Sequence, residues 1–138
     1  MTIEITSSLD GITAAHLDGG FWEHWPTPPS PERHLELLRG SRAVALALDE
    51  GQVVGFANAV GDGVLSAYIP LLEVLPALRG TGIGTQLIER LIEELSPCYM
   101  IDVACDDDVV PFYDRLGFTR GNAMVRRDYA AQSGMPPR

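Results

Sequence analysis

Three glycines at alternate positions mark the stretch of the chain with the clearest chemical meaning, Arg79-Gly80-Thr81-Gly82-Ile83-Gly84. An apolar segment typical of a strand precedes it at residues 67–74, and a segment with helical periodicity follows from residue 85. Glycine lacks the side chain that would hold an anion away from the backbone N–H groups. A helix N-terminus adds unpaired N–H donors and the positive end of a helix dipole. The pattern therefore predicts a binding site for a phosphate or pyrophosphate group.

Two familiar nucleotide-binding motifs are excluded. All ten cationic side chains are arginine, so the phosphate-loop motif, which requires a lysine, is absent. The position of Asp102, twenty residues after Gly82, is typical of a dinucleotide-binding fold. However, the glycines follow a G-x-G-x-G pattern rather than G-x-G-x-x-G, and too little chain remains for the second half of such a sheet.

The size and composition are those of one globular domain. The chain has 138 residues, of which 46% are hydrophobic and 21% charged, which argues against disorder and allows a sizeable core. We expect a single domain over residues 1–138, with about 130–138 as a flexible tail. The net charge of −9 argues against a nucleic-acid partner and leans only weakly towards a cationic substrate, because acidic surfaces also serve solubility.

The sequence also bears on the cellular compartment. The first residues lack the basic and apolar segments of a secretory signal, and no apolar run is long enough to span a bilayer. The spacing of Cys98 and Cys105 suits neither a metal knuckle nor a redox pair. We therefore expect a cytoplasmic protein with reduced thiols, no metal and no membrane partner.

Apolar periodicity and turn residues predict a mixed α/β sheet in the order β-α-α-β-β-β-α-β-α-β. Ser30 and Pro31 are typical of a helix start, and Gly40 of its end. The turn Asp49-Glu50-Gly51 predicts a hairpin. The predicted strands cover residues 2–6, 42–48, 52–60, about 64–74, 98–105 and 123–129, and the predicted helices cover about 8–18, 31–39, the segment from the glycine motif to Ser96, and 109–116.

Two longer stretches resemble a known family. The segment VLPALRGTGIGTQL, from Val74 to Leu87, resembles the acetyl-CoA-binding signature of the GNAT N-acetyltransferase superfamily. The segment PFYDRLGF, from Pro111 to Phe118, resembles the later motif of the same family, in the expected order. The resemblance covers residues 40–129 well and the first forty residues by element order alone. It implies the GNAT, or acyl-CoA N-acyltransferase, fold in a small single-domain member.

The resemblance implies an N-acetyltransferase that moves an acetyl group from acetyl-CoA, its co-substrate, to a primary amine by direct attack in a ternary complex. Val74 would offer backbone groups to the pantetheine arm and polarise the thioester carbonyl. Tyr113 would be the general acid that protonates the coenzyme A thiolate, and Phe112 would lie in the cofactor site. The pyrophosphate would be held by the amides of Arg79, Gly80, Thr81, Gly82, Ile83 and Gly84, with the Thr85 side chain as a further donor.

A catalytic base is required because an alkyl amine has a pKa near 10 and is protonated at neutral pH. Glu73, beside Val74, is the predicted base, although strand alternation leaves the direction of its side chain open. Tyr68, Ser66 and Asp102 are alternatives, as is a base acting through water.

Asp106 departs from the family pattern, in which an asparagine at this position hydrogen-bonds the pantetheine. An aspartate lacks the amide donor, which puts the predicted cofactor contact in doubt. We expect Asp106 to cap the helix that follows.

Two further features leave alternatives open. The aromatic segment at residues 21–25 is either core filling under a proline-rich loop or a lid over the acceptor pocket, with His24 as another candidate base. Cys105 is expected to be a buried, inert thiol rather than a nucleophile.

The alternative to an enzyme is a non-catalytic GNAT-fold domain that binds acyl-CoA as a sensor or partner. The acceptor would be a small-molecule or peptide amine. Members of the family are often dimers, so a homodimer is left open.

Overall fold

A five-stranded sheet forms the centre of the computed structural model, which describes residues 2–136. The strands are β1 (Ile3–Thr6), β2 (Ala43–Asp49), β3 (Gln52–Gly61), β4 (Ser66–Val74) and β5 (Met100–Val103), and the helices are α1 (Pro31–Arg39), α2 (Ile83–Leu95) and α3 (Val110–Asp114). The strands lie side by side in chain order. Neighbouring strands are antiparallel except for β4 and β5, which run parallel. The mixed α/β sheet expected from the sequence is therefore confirmed.

Strand alternation divides the interior into two cores, one on each face of the sheet. Leu46 packs with side chains of α1, whereas its neighbour Ala45 packs with those of α2. The face towards α2 is built from small residues, and a Cβ added at Gly55 would lie 3.1 Å from Leu87 Cδ1. The helix can approach the sheet closely because these strand positions lack bulk.

The predicted hairpin joins β2 to β3. Asp49 pairs with Gln52, so the loop has two residues, Glu50 and Gly51. Their φ values are +51° and +84°, as a type I′ turn requires. The twist of this turn matches that of the strands it connects.

The ends of α1 follow the signals in the sequence. Ser30 Oγ accepts a hydrogen bond from the Arg33 N–H at 3.1 Å, Pro31 is the first helical residue and Gly40 follows the last.

In α2 the apolar residues share one buried face, as predicted. Within residues 2–136, no helix is long and apolar enough to cross a membrane.

Strands β4 and β5 separate towards one end of the sheet. Their parallel ladder ends at Ile69 and Val103, and β4 continues to Val74 paired with β3 but not with β5. Pro70, which has no N–H to donate, is the first residue past the ladder. On its other side the pairing of β4 with β3 shifts register after Asn58. On the β5 side, no strand within residues 2–136 pairs with the second half of β4.

Two predicted elements are wrong. Residues 8–18 form only a short 3-10 turn, Ala14–Leu17, because Gly11 adopts a left-handed φ of +77° that a helix cannot accommodate. The strand predicted at 123–129 is absent, since residues 119–128 are irregular and exposed and a 3-10 turn follows at Tyr129–Ala131. A strand pattern specifies an extended conformation but does not supply a neighbouring strand.

Other elements are shorter than predicted. Strand β5 covers 100–103 rather than 98–105, because Cys98 still belongs to the turn after α2 and donates its N–H to the Leu95 carbonyl. A 3-10 turn, Asp107–Val109, leads into α3, and Gly117 at φ +92° follows its last turn. The flexible tail predicted at about 130–138 stays a prediction, and its last two residues lie outside the described part of the chain.

Candidate active site

The glycine-rich turn connects β4 to α2, after a 3-10 turn at Pro76–Leu78. Gly80 and Gly82 have φ values of +81° and +88°, in the left-handed region that glycine adopts without strain. A Cβ added at either glycine would meet no atom within 4 Å, so both face open space. Thr81 closes the turn by donating its hydroxyl to the Leu78 carbonyl at 2.6 Å.

The N-terminus of α2 lies at the same turn. Gly82 is its N-cap and no side chain caps the helix. The first N–H groups of an α-helix have no acceptor within the helix, so those of Ile83, Gly84 and Thr85 are available to a ligand. The ring of Phe112 lies against this end, 3.6 Å from a Cβ added at Gly84. Open space, free donors and the positive end of the dipole suit a pyrophosphate.

Arg79 links this turn to the end of β4 and to the aromatic segment at residues 21–25. Its Nε donates to the Val74 carbonyl at 3.2 Å, and its Nη1 lies 3.2 Å from Glu23 Oε2. The other oxygen of Glu23, Oε1, lies 2.9 Å from His24 Nε2. The backbone carbonyl predicted to face the cofactor thus contacts a side chain that also reaches the aromatic segment.

Glu73 points towards the aromatic segment, a direction that strand alternation left open. Its Oε1 accepts the Trp22 N–H at 2.8 Å. Burial raises the pKa of this carboxyl and the nearby Glu23 adds to the rise, whereas the Trp22 hydrogen bond and the charge of Arg79 oppose it. A half-buried carboxylate of raised pKa is suited to accept a proton.

A cavity of about 350 Å³ lies between the aromatic segment and the second half of β4. Its walls combine apolar side chains with two carboxylates and one guanidinium. They are formed by Glu23, His24, Trp25, Pro70, Leu71, Leu72, Glu73, Val74 and Arg79. We term it the acceptor cavity, after the role that we propose for it.

The aromatic segment serves the core at one end and the acceptor cavity at the other. Phe21 packs against Phe56 with ring centroids 5.2 Å apart, and Trp22 is buried, which confirms core filling for both. Glu23 and His24 face solvent and the cavity. Trp22 and His24 adopt φ values of +72° and +69°, which are rare for residues other than glycine. Strain of this kind is concentrated at functional sites.

Tyr113 lies in α3 with its ring buried. The ring packs edge-on against Phe112 and Phe118, with centroids 4.9 and 5.3 Å apart. Burial raises the pKa of Tyr113 to about 12, with further contributions from Cys105 and Tyr68. The phenol therefore stays protonated at neutral pH. It lines a second cavity, of about 700 Å³, beside β5.

Asp106 does not cap with its side chain. It occupies the N-cap position of the turn Asp107–Val109, but only its backbone carbonyl is engaged, accepting the Val109 N–H at 2.9 Å. The predicted capping hydrogen bond is wrong because the exposed carboxylate points into solvent, where water competes for it. The contact of Asp106 with coenzyme A stays a prediction.

The alternative catalytic residues differ in their surroundings. Ser66 donates its hydroxyl to Asp62 Oδ2 at 3.0 Å and so belongs to the β3–β4 turn. Tyr68 faces Asp102 in the β4–β5 register, and Asp102 is exposed. Cys105 is also exposed, so its predicted burial is wrong, because β5 ends two residues before it.

In the described part of the chain, no group of three or more potential ligand side chains could hold a metal ion.

The predicted site residues are not gathered around one cavity. Glu73, Val74 and Arg79 line the acceptor cavity and Tyr113 lines the larger cavity beside β5, whereas residues 80–85, Asp106 and Phe112 line neither. No sequence pattern indicated that Glu23 would pair with Arg79. That contact depends on the left-handed conformation of the residues on either side of Glu23, which no local pattern of aromatic residues indicates.

The chain is similar to known acetyltransferases. The sequence model of the acetyltransferase (GNAT) family matches residues 11–118. The structure of a candidate acetyltransferase from Deinococcus radiodurans R1 is 49% identical and has a TM-score of 0.94, covering 98% of this chain and 94% of that one. GCN5-related N-acetyltransferase 3, chloroplastic, from Arabidopsis thaliana is 40% identical over 78 residues, which are 55% of this chain and 33% of that protein.

The chain thus spans about a third of the length of that plant relative. The structure of AAC(6')-Iy in complex with the bisubstrate analog CoA-S-monomethyl-acetylneamine is 20% identical, with a TM-score of 0.70 over 93% of this chain and 99% of that one. At this identity the likeness shows the fold alone.

Proposed function

The chain belongs to the acetyltransferase (GNAT) family, and on that premise we propose that it transfers an acetyl group from acetyl-CoA to a primary amine. The observation that carries the proposal is the open, glycine-lined turn at the N-terminus of α2, next to the separation of β4 and β5. The turn suits the pyrophosphate of coenzyme A. The second half of β4, which β5 does not pair, suits the pantetheine arm, whose amides can pair with a strand edge as a peptide does.

Acetyl-CoA would supply an activated thioester, and the residues of the chain would bind and orient it. The free N–H groups of Ile83, Gly84 and Thr85 would hold the phosphates, and backbone groups around Val74 would hold the arm and polarise the thioester carbonyl. Arg79 contacts the Val74 carbonyl in the structure, so an arm that pairs there displaces this side chain.

Glu73 would remove the proton of the incoming amine. An amine of pKa near 10 is almost entirely protonated at neutral pH and cannot attack until a base takes its proton. Because its pKa is raised, Glu73 is a stronger base than an exposed glutamate. The Trp22 N–H fixes its Oε1, and since Glu73 lines the acceptor cavity, Oε2 would take the proton.

Tyr113 would serve the leaving group. The attack forms the C–N bond and breaks the C–S bond, and the electron pair of that bond remains on sulfur as a thiolate. A phenol with a pKa of about 12 is protonated throughout the working pH range, so a hydrogen-bond donor is always present for the sulfur. Because thiols have a pKa of about 8.5, this hydrogen bond would first stabilise the thiolate, and the proton would follow to the extent that the same burial raises the pKa of the thiolate.

The acceptor cavity favours a cationic amine with an apolar body. Glu23 and Glu73 place two carboxylates in its walls, and Trp25, Leu72 and Pro70 supply apolar surface. The net charge of −9 adds a general attraction for cations. The acceptor class proposed is therefore a primary amine on an apolar or aromatic scaffold.

Thiol release tests the proposal. Purified protein is incubated with acetyl-CoA and a panel of aryl, alkyl and peptide amines, and free coenzyme A is followed with a thiol-reactive dye. We expect release that depends on at least one amine. Tight acetyl-CoA binding with no turnover of any amine would instead support the sensor role, and no binding at all would contradict both.

A glycine pair supplies the matched control for the donor site. Gly80 and Gly11 both have left-handed φ values, +81° and +77°, and both face open space. An alanine at either position carries a similar strain, about 1–2 kcal/mol. We expect Gly80→Ala to weaken acetyl-CoA binding by roughly ten-fold or more, whereas Gly11→Ala lowers stability equally and leaves binding unchanged. If the two substitutions changed acetyl-CoA binding equally, the acetyl-CoA site would lie elsewhere.

A further inference from the structure

Arg79 supplies a cationic group to the wall of the acceptor cavity. Its Nη1 lies 3.2 Å from Glu23 Oε2, and its Nε donates to the Val74 carbonyl at 3.2 Å. The guanidinium therefore joins the aromatic segment to the end of β4. The side chain of Arg79 is 52% exposed, so polar contacts rather than close packing hold it there. It can leave this position without disturbing either core.

The two contacts of Arg79 connect the proposed donor site with the acceptor cavity. A pantetheine arm that pairs with Val74 takes the carbonyl to which Nε donates. Because Nε and Nη1 belong to one rigid planar group, a movement that breaks the first contact also shifts the second. Glu23 then loses its guanidinium partner, and the cavity wall presents the carboxylates of Glu23 and Glu73.

The reacting amine cannot replace Arg79 as the partner of Glu23. It is neutral when it attacks, because its proton has passed to the proposed base, Glu73. The side chain of Glu23 is only 35% exposed, so water screens its charge less than that of a carboxylate in open solvent. A second cationic group at Glu23 would therefore gain a charge-assisted hydrogen bond.

The cavity also has room and apolar surface for a stem between two such groups. Its volume of about 350 Å³ lies within the range of small-molecule sites, about 300–1,000 Å³. Trp25, Pro70 and Leu72 line it together with the two carboxylates. An aliphatic stem can pack on these side chains while its ends reach polar groups.

On the basis of the acetyl transfer inferred above, we propose that the acceptor is a primary amine with a second cationic group, which Glu23 binds where Arg79 lies in the structure. One amine loses its proton to Glu73 and is acetylated, whereas the second group keeps its charge throughout. Glu23 thus determines specificity for a diamine. Arg79 fills the same place with a cation of the chain itself until the donor takes the Val74 carbonyl.

Calorimetric titration in the presence of coenzyme A, which carries no acetyl group, measures acceptor binding without turnover. The probes are short α,ω-diamines, each paired with the amino alcohol of the same length, in which a hydroxyl replaces one ammonium. We expect at least one diamine to bind roughly ten-fold tighter than its amino alcohol, of which two equivalent ends explain only about two-fold. Without coenzyme A the preference should shrink, because Arg79 holds Glu23. If no diamine binds tighter than its amino alcohol, the proposal is wrong.

Three variants assign the preference to named residues. Glu23→Gln should remove it, whereas Glu89→Gln should keep it, since Glu89 is an exposed residue of α2 outside the cavity. Arg79→Gln keeps the backbone amide of the glycine turn and frees Glu23, so the preference should appear without coenzyme A. If Glu23→Gln and Glu89→Gln reduced the preference equally, it would reflect the net charge of the chain, and Glu23 would not be its cause.

Thiol release from acetyl-CoA, measured beside these titrations, separates a failure of this proposal from a failure of the proposed function. Release with amines, but without a preference for diamines in binding, would overturn the second cation site and leave the acetyl transfer intact. A diamine that binds through Glu23 without any thiol release would support the cation site and overturn the transfer.

Discussion

At the scale of single residues, the hydroxyl of Tyr113 allows chemistry to be separated from packing. Tyr113→Phe keeps the ring between Phe112 and Phe118 and removes only the group proposed to protonate sulfur. We expect kcat to fall by roughly 100-fold, with little change in KM for acetyl-CoA, because general acid catalysis contributes about that much. The measurement is the initial rate of thiol release.

The control for this variant is Tyr99→Phe, since Tyr99 is 81% exposed and has no proposed role. It should leave kcat unchanged. The raised pKa of Tyr113, about 12, also predicts that the wild-type rate shows no alkaline limb from this phenol below about pH 10. Full activity in Tyr113→Phe would assign proton donation to another group.

Glu73 is the second residue whose role can be isolated. Glu73→Gln retains an oxygen to accept the Trp22 N–H but cannot take a proton from the amine. Because the carboxylate form prevails above its raised pKa, kcat/KM of the wild type should rise with pH through that pKa. The variant should lose this acid limb and roughly 100-fold of its rate. The pH profile of both proteins provides the measurement.

Glu23→Gln is the matched comparison, because Glu23 lines the same cavity and touches Arg79 rather than the site of proton removal. We expect it to raise KM for a cationic amine while keeping the acid limb. An acid limb that persists in Glu73→Gln would move the base to His24, which lines the same cavity, or to Asp102.

At the scale of elements, the predictions that succeeded were those with a local cause. The Ser30-Pro31 start of α1 and the Glu50-Gly51 turn depend on residues next to each other in the chain. The strand at 123–129 failed because pairing depends on a neighbour, and the edge of β5 lies across a cavity from it. The helix at 8–18 failed at one glycine, where the local signal for a turn outweighed the apolar pattern.

In the candidate site, too, features with a local cause were predictable and features that depend on distant residues were not. The glycine turn was predictable because φ values of that kind are available to few residues other than glycine. The direction of Glu73 was not, since it depends on a hydrogen bond to Trp22, 51 residues earlier in the chain. Side-chain capping by Asp106 was not predictable either: Asp106 and Asp128 both precede a three-residue 3-10 turn, yet only Asp128 accepts a backbone N–H with its carboxylate.

At the scale of the whole molecule, the two cores on either side of the sheet differ in composition. The core under α2 is mostly aliphatic, with the Tyr113 ring buried in it, whereas the core under α1 holds several aromatic rings around His34. This histidine is fully buried, with ring centroids of Trp22 and Phe56 at 5.0 and 4.3 Å. Neither ring nitrogen has a hydrogen-bond partner among the described residues. The neutral form alone is compatible with such a site.

His34 should therefore make the stability of the whole fold sensitive to acid. Burial lowers the pKa of His34 from 6.5 to about 4, so the unfolded chain binds the proton first as pH falls. Its stabilising contribution is complete above pH 6.5 and is lost progressively down to pH 4, by about 3 kcal/mol in total. His34→Phe cannot be protonated, so urea unfolding of both proteins between pH 4 and pH 7 should give free energies whose difference changes by that amount. Parallel curves would mean that His34 is solvated in the native state, and that the core under α1 is more open than the packing of its rings indicates.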